Sequence, residues 1–188
     1  MTERLRRMRP DTLDAEQRRL YDWVLGGPRA STARVVELTD ADGGLYGPFN
    51  AWLLSPNFGS AIESLGAAIR FAAVFDARLR ELAILGVAND ADSEFELYAH
   101  EALGQAAGLT DAELAALRAG TVPESCSPDE RLALELVTEL RRTGDLSDES
   151  HRRAVARLGE RGLFELVTLV GFYSMLALQL RVYRTPPP

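Results

Sequence analysis

The sequence predicts an all-α protein with a single domain, and three observations lead to this prediction. Apolar residues recur at helical spacing, as in Leu132, Leu136 and Leu140, which share one helix face. Helix start signals are repeated along the chain, whereas strand signals are nearly absent. With 188 residues, the chain is long enough for one domain with a hydrophobic core.

The helix start signals are Ser or Thr residues followed by proline or by acidic residues in the first turn. They stand at residues 55–56, 110–113, 127–130 and 147–149. With the apolar periodicity they predict helices at residues 12–25, 56–74, 77–89, 93–107, 111–119, 128–143, 148–158 and 161–182. Residues 26–50 are rich in glycine, so we expect mostly loop there with at most a short helix.

Composition excludes several classes of protein. The formal net charge of −7 argues against a nucleic-acid partner, because nucleic-acid binders concentrate Lys and Arg against phosphates. The single cysteine, Cys126, allows neither an intrachain disulfide nor paired redox thiols, which favours a cytoplasmic location. Four arginines occur among the first ten residues, but no apolar segment of a secretory signal follows them.

The most apolar stretch runs over residues 166–180 without a charge. It falls short of the roughly 20 residues that a membrane-spanning helix needs, so we expect a core or interface helix and no membrane partner. Its apolar side chains, among them Phe172, Tyr173 and Met175, occupy more of the circumference than one small domain needs to bury. This predicts a homo-oligomer, in which the helix packs partly against a neighbouring subunit.

One helix face is the best candidate for chemistry. Ser93, Glu96 and His100 stand at positions i, i+3 and i+7, in line with apolar residues of the same helix. An acid and an imidazole on a partly buried face perturb each other's pKa, as acid–base catalysis requires. Two alternatives remain open: Ser93 and Glu96 as a capping box, and Glu96 and His100 as an ordinary surface pair.

A metal site is not predicted. His151 is the only other imidazole in the sequence, and Glu96 precedes His100 by four positions rather than by the three of di-iron bundles.

Several segments resemble the carboxymuconolactone decarboxylase family, whose superfamily includes the AhpD-like alkylhydroperoxidases. They are RELAILGVA at residues 80–88, FELYAH at residues 95–100 and AGLTD at residues 107–111. Weaker matches lie at residues 47–50, 54–56, 164–167 and 171–173. The resemblance implies an all-helical domain over residues 46–183. Residues 1–45 lie outside the resemblance, and we expect them to form a helix-and-loop extension packed on the core. The resemblance also implies an oligomer, a trimer, hexamer or dimer, with sites near subunit contacts.

The peroxidase branch of this family implies a proton relay of a glutamate, a Cys-x-x-Cys pair and a histidine. Glu81 and His100 match the glutamate and the histidine, but Ser93 and Glu96 stand where the two cysteines would be. A hydroxyl and a carboxyl cannot reduce a peroxide by thiol chemistry, because the thiolate is the nucleophile. A peroxidase is therefore the less favoured interpretation.

The decarboxylase branch implies a lyase that converts 4-carboxymuconolactone to an enol-lactone and CO2 without a cofactor. Such a site needs a dry pocket, a donor near the developing oxyanion and an acid that protonates carbon. His100 is the expected proton donor, Glu81 would orient its imidazole, and Glu96 would act as a second acid or base. Isomerisation or cyclisation of a small acid or lactone makes the same demands.

Substrate contacts are expected from five residues: Arg70, Asn50, Trp52, Ser93 and Tyr173. Arg70 would hold a carboxylate through two hydrogen bonds, although a solvated arginine at a helix end is the alternative. Position 97 is often tryptophan in the decarboxylase branch and is leucine here, which leaves the substrate open. A non-catalytic binding or assembly module is the alternative to an enzyme.

Overall fold

Eight α-helices make up most of the described chain, residues 3–27 and 35–188, in a computed structural model. They are α1 (Ala15–Gly26), α2 (Pro48–Trp52), α3 (Pro56–Phe71), α4 (Ala77–Asp90), α5 (Glu94–Ala106), α6 (Asp111–Arg118), α7 (Pro128–Thr143) and α8 (Asp148–Tyr183). A 3-10 turn at Pro10–Thr12 precedes α1, and no strand occurs among the described residues. The all-α prediction is confirmed.

The start signals of three helices act as predicted. The side chains of Thr110 and Ser127 accept from backbone N–H groups in the first turns of α6 and α7, each completing a capping box. Ser147 caps α8 by accepting from the N–H of Ser150. The side-chain cap expected from Ser55 is wrong: α3 begins at Pro56, but Ser55 makes no capping hydrogen bond.

The third helix ends at Phe71, earlier than the predicted residue 74. The chain turns here because tertiary contacts hold the following residues in another conformation. The N–H of Val74 donates to Glu165 of α8 at 2.7 Å, and Arg80 of α4 donates to the carbonyl of Arg70 at 2.9 Å. Neither partner is local in sequence, so helical periodicity alone runs past the true end.

The last helix is broken at Gly159, which has φ 73° and ψ 166°. Only glycine adopts this conformation readily, since a Cβ would clash with the backbone at positive φ. The break separates the two predicted helices at residues 148–158 and 161–182, and this prediction is confirmed.

The core is organised around α4, which packs against α5, α7 and α8. Its buried residues surround the whole helix, as expected of a helix with neighbours on all sides. The main hydrophobic cluster also contains Leu20, Tyr21 and Val24 of α1. The N-terminal helix therefore shares the core, and the chain forms one domain; a boundary between residues 45 and 46 stays a prediction.

The apolar stretch of α8 lies largely inside this fold. By length and composition α8 is the one described helix that would suffice to cross a membrane, with a mean hydropathy of 1.7, but half of that window is buried against the rest of the protein. The core helix of a protein outside the membrane can have the same length and composition. Several of its apolar side chains stay exposed, including Phe164, Val167 and Leu178.

The segment before α3 is mostly irregular, as predicted, with α2 as its short helix. An isolated antiparallel bridge joins Thr39 and Leu45 across a turn at Gly43, where φ is 81°. The rest of the prediction for this loop, at residues 28–34, lies outside the described residues. Gly47, the residue before α2, has φ 61° and lies against the ring of Phe95. A Cβ at this position would lie 2.2 Å from a ring carbon.

Candidate functional site

Glu96 and His100 lie on the inner face of α5. They are 3% and 5% exposed, whereas Glu94, Tyr98 and Gln105 of the same helix face solvent. The His100 Nε2 atom lies 3.2 Å from an oxygen of Glu96. Because both groups are buried, the alternative of an ordinary surface pair is wrong.

The capping-box alternative for Ser93 and Glu96 is also wrong. Ser93 occupies the N-cap position of α5, but its side chain makes no capping hydrogen bond. The carboxyl of Glu96 turns instead toward His100, one helical turn further on. The sequence pattern of a capping box is present, yet burial of this face directs the carboxyl into the protein.

Glu81 of α4 completes the group from the neighbouring helix. One of its oxygens lies 2.6 Å from Nδ1 of His100, and the residue is only 1% exposed. The imidazole is thus held between two carboxyl groups, with Glu81 at Nδ1 and Glu96 at Nε2. This arrangement fixes the ring orientation and supplies an acceptor to each nitrogen of a protonated imidazole.

Two guanidinium groups face the second oxygen of Glu81. Arg70, in the last turn of α3, donates to it at 3.2 Å and to the hydroxyl of Tyr173 at 3.5 Å. Arg80 donates to the same carboxylate oxygen at 3.4 Å. Arg70 is buried, so the alternative of a solvated arginine at a helix end is wrong.

The pKa of Glu81 is held far below its usual range. Burial acts to raise this pKa, but the charge and hydrogen bond of His100, together with Arg70 and Arg80, outweigh burial and bring it to about 2. Glu81 is therefore a carboxylate at any physiological pH.

The pKa of His100 moves in the opposite direction. Burial disfavours the imidazolium and lowers the pKa, but the adjacent Glu81, and after it Glu96, raise it above the ordinary value of 6.5. The two carboxyl groups therefore favour the charged imidazolium and oppose the effect of burial, and they hold the ring in one orientation.

A narrow cavity adjoins this imidazolium. Its lining includes Glu96 and His100 of α5, Arg70, Trp52 and Tyr173, with apolar side chains such as Phe49, Phe95, Leu103 and Phe172 around them. Glu81 lies behind His100, outside this lining. The cavity volume is about 50 Å³, space for only a few water molecules at roughly 10–15 Å³ each.

Two buried donors at this cavity have no hydrogen-bond partner among the described residues. They are the indole Nε1 of Trp52 and the Nε of Arg70. A buried N–H without a partner costs about 1–3 kcal/mol, so such groups favour a bound molecule that offers oxygen atoms. The placement of Trp52 and Arg70 agrees with their expected role as substrate contacts.

Tyr173 packs its ring edge-to-face on His100, with ring centroids 5.1 Å apart. Its hydroxyl accepts from Arg70, and the residue lines the cavity, as expected of a substrate contact.

Asn50 and Ser93 do not reach this cavity. The Asn50 amide is occupied by the backbone of the N-terminal segment: it accepts from the N–H of Met8 at 2.9 Å and donates to the carbonyl of Arg6 at 3.3 Å. The expectation that Asn50 contacts the substrate is therefore corrected to a structural role. Ser93 lines a different cavity, at the start of α5.

The sequence did not single out three contributors to the site. Arg80 is adjacent to Glu81 within the family-like segment. The sequence shows its charge, but it does not show that the side chain turns toward the Glu81 carboxylate. Phe95 precedes Glu96 as one more apolar residue of α5. Leu38 comes from an irregular loop, for which periodicity gives no signal.

Two further kinds of site were sought among the described residues: metal-holding groups and reactive thiols. No group of three or more His, Cys, Asp or Glu side chains is placed there to hold a metal ion. Cys126 is buried in another hydrophobic cluster, beside Leu85 and Leu134, and burial raises the pKa of its thiol.

Comparison with known proteins gives a family match. Residues 56–139 match the model of the carboxymuconolactone decarboxylase family. The matched segment contains Glu81, Glu96 and His100, together with Arg70. A search of functionally curated proteins returns no match.

Solved structures share the fold at low sequence identity. An uncharacterized peroxidase-related protein from Silicibacter sp. TM1040 superposes with a TM-score of 0.76 at 12% identity, covering 99% of this chain and 92% of that one. A peroxidase-related protein with an AhpD core from Ralstonia eutropha JMP134 gives 0.72 at 13% identity, with the same coverage. A protein of unknown function from Agrobacterium tumefaciens, linked by its name to the antioxidant defence protein AhpD, gives 0.65 at 16% identity, covering 74% and 96%. These likenesses establish the AhpD-like fold.

Proposed function

We propose, since residues 56–139 match the model of the carboxymuconolactone decarboxylase family, that the chain is a cofactor-free acid–base enzyme for small carboxylated or lactone-like molecules. The observation that carries the proposal is the buried imidazole of His100, held between Glu81 and Glu96 at the wall of a cavity. A charged imidazole at the wall of a small, mostly apolar cavity is a proton donor for which few water molecules can compete.

The three groups divide the proton chemistry between them. His100 and Glu96 line the cavity and can touch a bound molecule, whereas Glu81 acts through His100 as a positioning residue. Because Glu81 occupies Nδ1, the mobile proton of the imidazolium is the one on Nε2, next to Glu96. The proton then passes to the substrate from Nε2 directly or through the Glu96 carboxyl.

A decarboxylation fits these groups with a closed proton balance. The bond from carbon to the carboxylate breaks, CO2 leaves, and the electron pair moves into the unsaturated lactone, whose carbonyl oxygen becomes negative. The unpartnered N–H groups of Trp52 and Arg70 are suited to that oxygen. His100 then protonates the carbon framework, and solvent returns one proton to the imidazole after product release.

The narrow cavity restricts the substrate to a small molecule. A volume of about 50 Å³ is well below the roughly 300–1,000 Å³ of typical ligand pockets. Substrate binding therefore requires some of the lining residues to move and enlarge the cavity. Residues 36–38 form an irregular wall, while the other lining side chains come from α2, α3, α5 and α8.

An assay of 4-carboxymuconolactone turnover by the purified protein, measured as CO2 release, tests this proposal. We expect His100→Ala to fold and to lose a factor of about 10²–10⁴ in kcat, the contribution of general acid catalysis. His151→Ala is the matched control, because His151 is exposed on α8, away from the cavity. Equal turnover by the His100→Ala variant contradicts the role of His100 as proton donor. If no small lactone acid is turned over or bound, the non-catalytic binding module becomes the better interpretation.

A peroxidase is the second candidate, because two of the similar structures are peroxidase-related proteins. The thiol mechanism of that branch needs two cysteines, and this sequence has Cys126 alone. Peroxide consumption by the wild-type protein and by a Cys126→Ser variant decides between the candidates: peroxide turnover that depends on Cys126 would favour the peroxidase.

A further inference from the structure

A second cavity, of about 540 Å³, lies where the start of α5 meets the end of α8. This volume is in the range of ligand sites, and it is about ten times that of the cavity at His100. Within the described chain, the two cavities share only Phe95 in their linings. The second cavity is therefore separate from the proposed proton-transfer site.

Ser93 is a buried polar residue in the lining of this cavity. Ser93 lines the second cavity and is 7% exposed, and its buried Oγ finds no hydrogen-bond partner in the described part of the protein. A serine hydroxyl both donates and accepts, so it is readily satisfied when no ligand is needed. An unsatisfied one at a cavity of this size indicates a missing partner.

The start of α5 presents positive charge to the same cavity. This helix of thirteen residues has no side-chain cap, so the N–H groups of its first turn remain available. The helix dipole adds a partial positive charge at this end, which favours a bound anion.

Three arginines line the second cavity, and two of them are fixed by the backbone. Arg181 donates to the carbonyl of Ala91, just before α5. Arg4 donates to the carbonyl of Val182 at 3.1 Å, and its own N–H donates to Tyr183. Arg184 has no side-chain hydrogen bond or ion pair with any described residue. Each guanidinium has five N–H donors, so even the two fixed ones retain free donors.

Two acidic residues, Asp92 and Glu94, also line this cavity, and both are exposed to solvent. Glu94 lies 3.8 Å from Arg118, a cation outside the cavity lining. The positive groups therefore outnumber the acidic ones, and the positive end of α5 adds to them.

We propose that the second cavity binds an oxyanion group, carried by a phosphorylated or carboxylated small molecule. Ser93, the first-turn N–H groups of α5 and the free donors of Arg4, Arg181 and Arg184 would hold its oxygens. Planar guanidinium groups match phosphate and carboxylate oxygens through paired hydrogen bonds.

Isothermal titration calorimetry at constant ionic strength tests the proposal, with inorganic phosphate in one arm and acetate in the other. Arg184→Gln removes the guanidinium that has no other described role, and we expect it to weaken anion binding about tenfold. We expect Ser93→Ala to weaken it a few-fold. Arg142→Gln is the matched control, because Arg142 is an exposed arginine in the last turn of α7, and binding should not change.

Tighter binding of phosphate supports a phosphorylated ligand, and tighter binding of acetate supports a carboxylated one. No binding heat from either ion at about 10 mM would overturn the proposal. Equal weakening by Arg142→Gln would show general charge attraction and would also overturn it. Binding that is lost in His100→Ala and kept in Arg184→Gln would place the anion in the other cavity, against the proposal.

Discussion

Single residues link the proton chemistry of the site to the stability of the fold. The carboxylate of Glu81 is buried, and its charge is compensated by His100, Arg70 and Arg80. Removing one member of a buried ion pair leaves the others uncompensated, which costs about 3–5 kcal/mol. The same contacts that prepare His100 for proton transfer therefore contribute to folding.

Glu81→Gln should make the stability of the protein less dependent on acid pH. Since the pKa of Glu81 falls from 4.5 to about 2 on folding, its ionisation stabilises the fold above pH 4.5, and this contribution is lost as the pH falls towards 2. We expect urea unfolding to show a difference between wild type and Glu81→Gln that shrinks between neutral pH and acid. Glu149→Gln removes an exposed partner of Arg152 and is the control, with a small effect on the free energy of unfolding. A difference that is independent of pH would contradict the assigned role of Glu81.

Helix starts were predictable where the capping partner is local. Thr110 with Glu113, and Ser127 with Glu130, form capping boxes within four residues, and periodicity then gives the rest of each helix. The same pattern at Ser93 wrongly predicts a capping box, because the Glu96 carboxyl contacts the buried imidazole of His100 on the same helix. Sequence identifies a helix start more reliably than it identifies the partner of a polar side chain.

Because α8 is broken at Gly159, we expect replacing this glycine by alanine to affect stability differently from replacing another glycine of the same helix. Gly159→Ala places a Cβ on a residue with φ 73°, and we expect it to destabilise the protein by about 1–2 kcal/mol. Gly171→Ala is the matched control: an added Cβ there meets no atom within 4 Å, and alanine favours a helix by up to about 1 kcal/mol. Both values follow from urea unfolding. A stabilising Gly159→Ala would show that α8 has no need of this break.

For the whole molecule, sequence reasoning predicted the fold and the central group of the site. Helical spacing brought Glu96 and His100 together, and the resemblance to the family added Glu81; the structure places all three side chains in contact. The role of Asn50 was not accessible, since its partners Met8 and Arg6 lie more than forty positions away in an irregular segment. Long-range contacts of loops leave no periodic signal in a sequence.

The exposed apolar side chains of α8 predict self-association. Phe164 and Leu178 are 71% and 60% exposed. Exposing such large apolar side chains to water is unfavourable, and it is unusual on a helix that otherwise lies in the core. We propose that this face contacts a second copy of the chain and that Phe164→Glu weakens the assembly. Light scattering at micromolar concentration should give more than the monomer mass of 20.6 kDa for the wild type. A wild-type monomer under those conditions would contradict this prediction.

The central claim is that His100 carries a proton at the cavity because Glu81 stabilises its charged form. Proton NMR titration of the imidazole C–H signals measures this directly, since the chain has only two histidines and His151→Asn assigns the His100 signal. We predict a pKa for His100 above 6.5 in the wild type and a lower value in Glu81→Gln, so that the charged form is lost as the pH rises through the wild-type value. A wild-type pKa at or below 6.5, or one that Glu81→Gln leaves in place, would contradict the account.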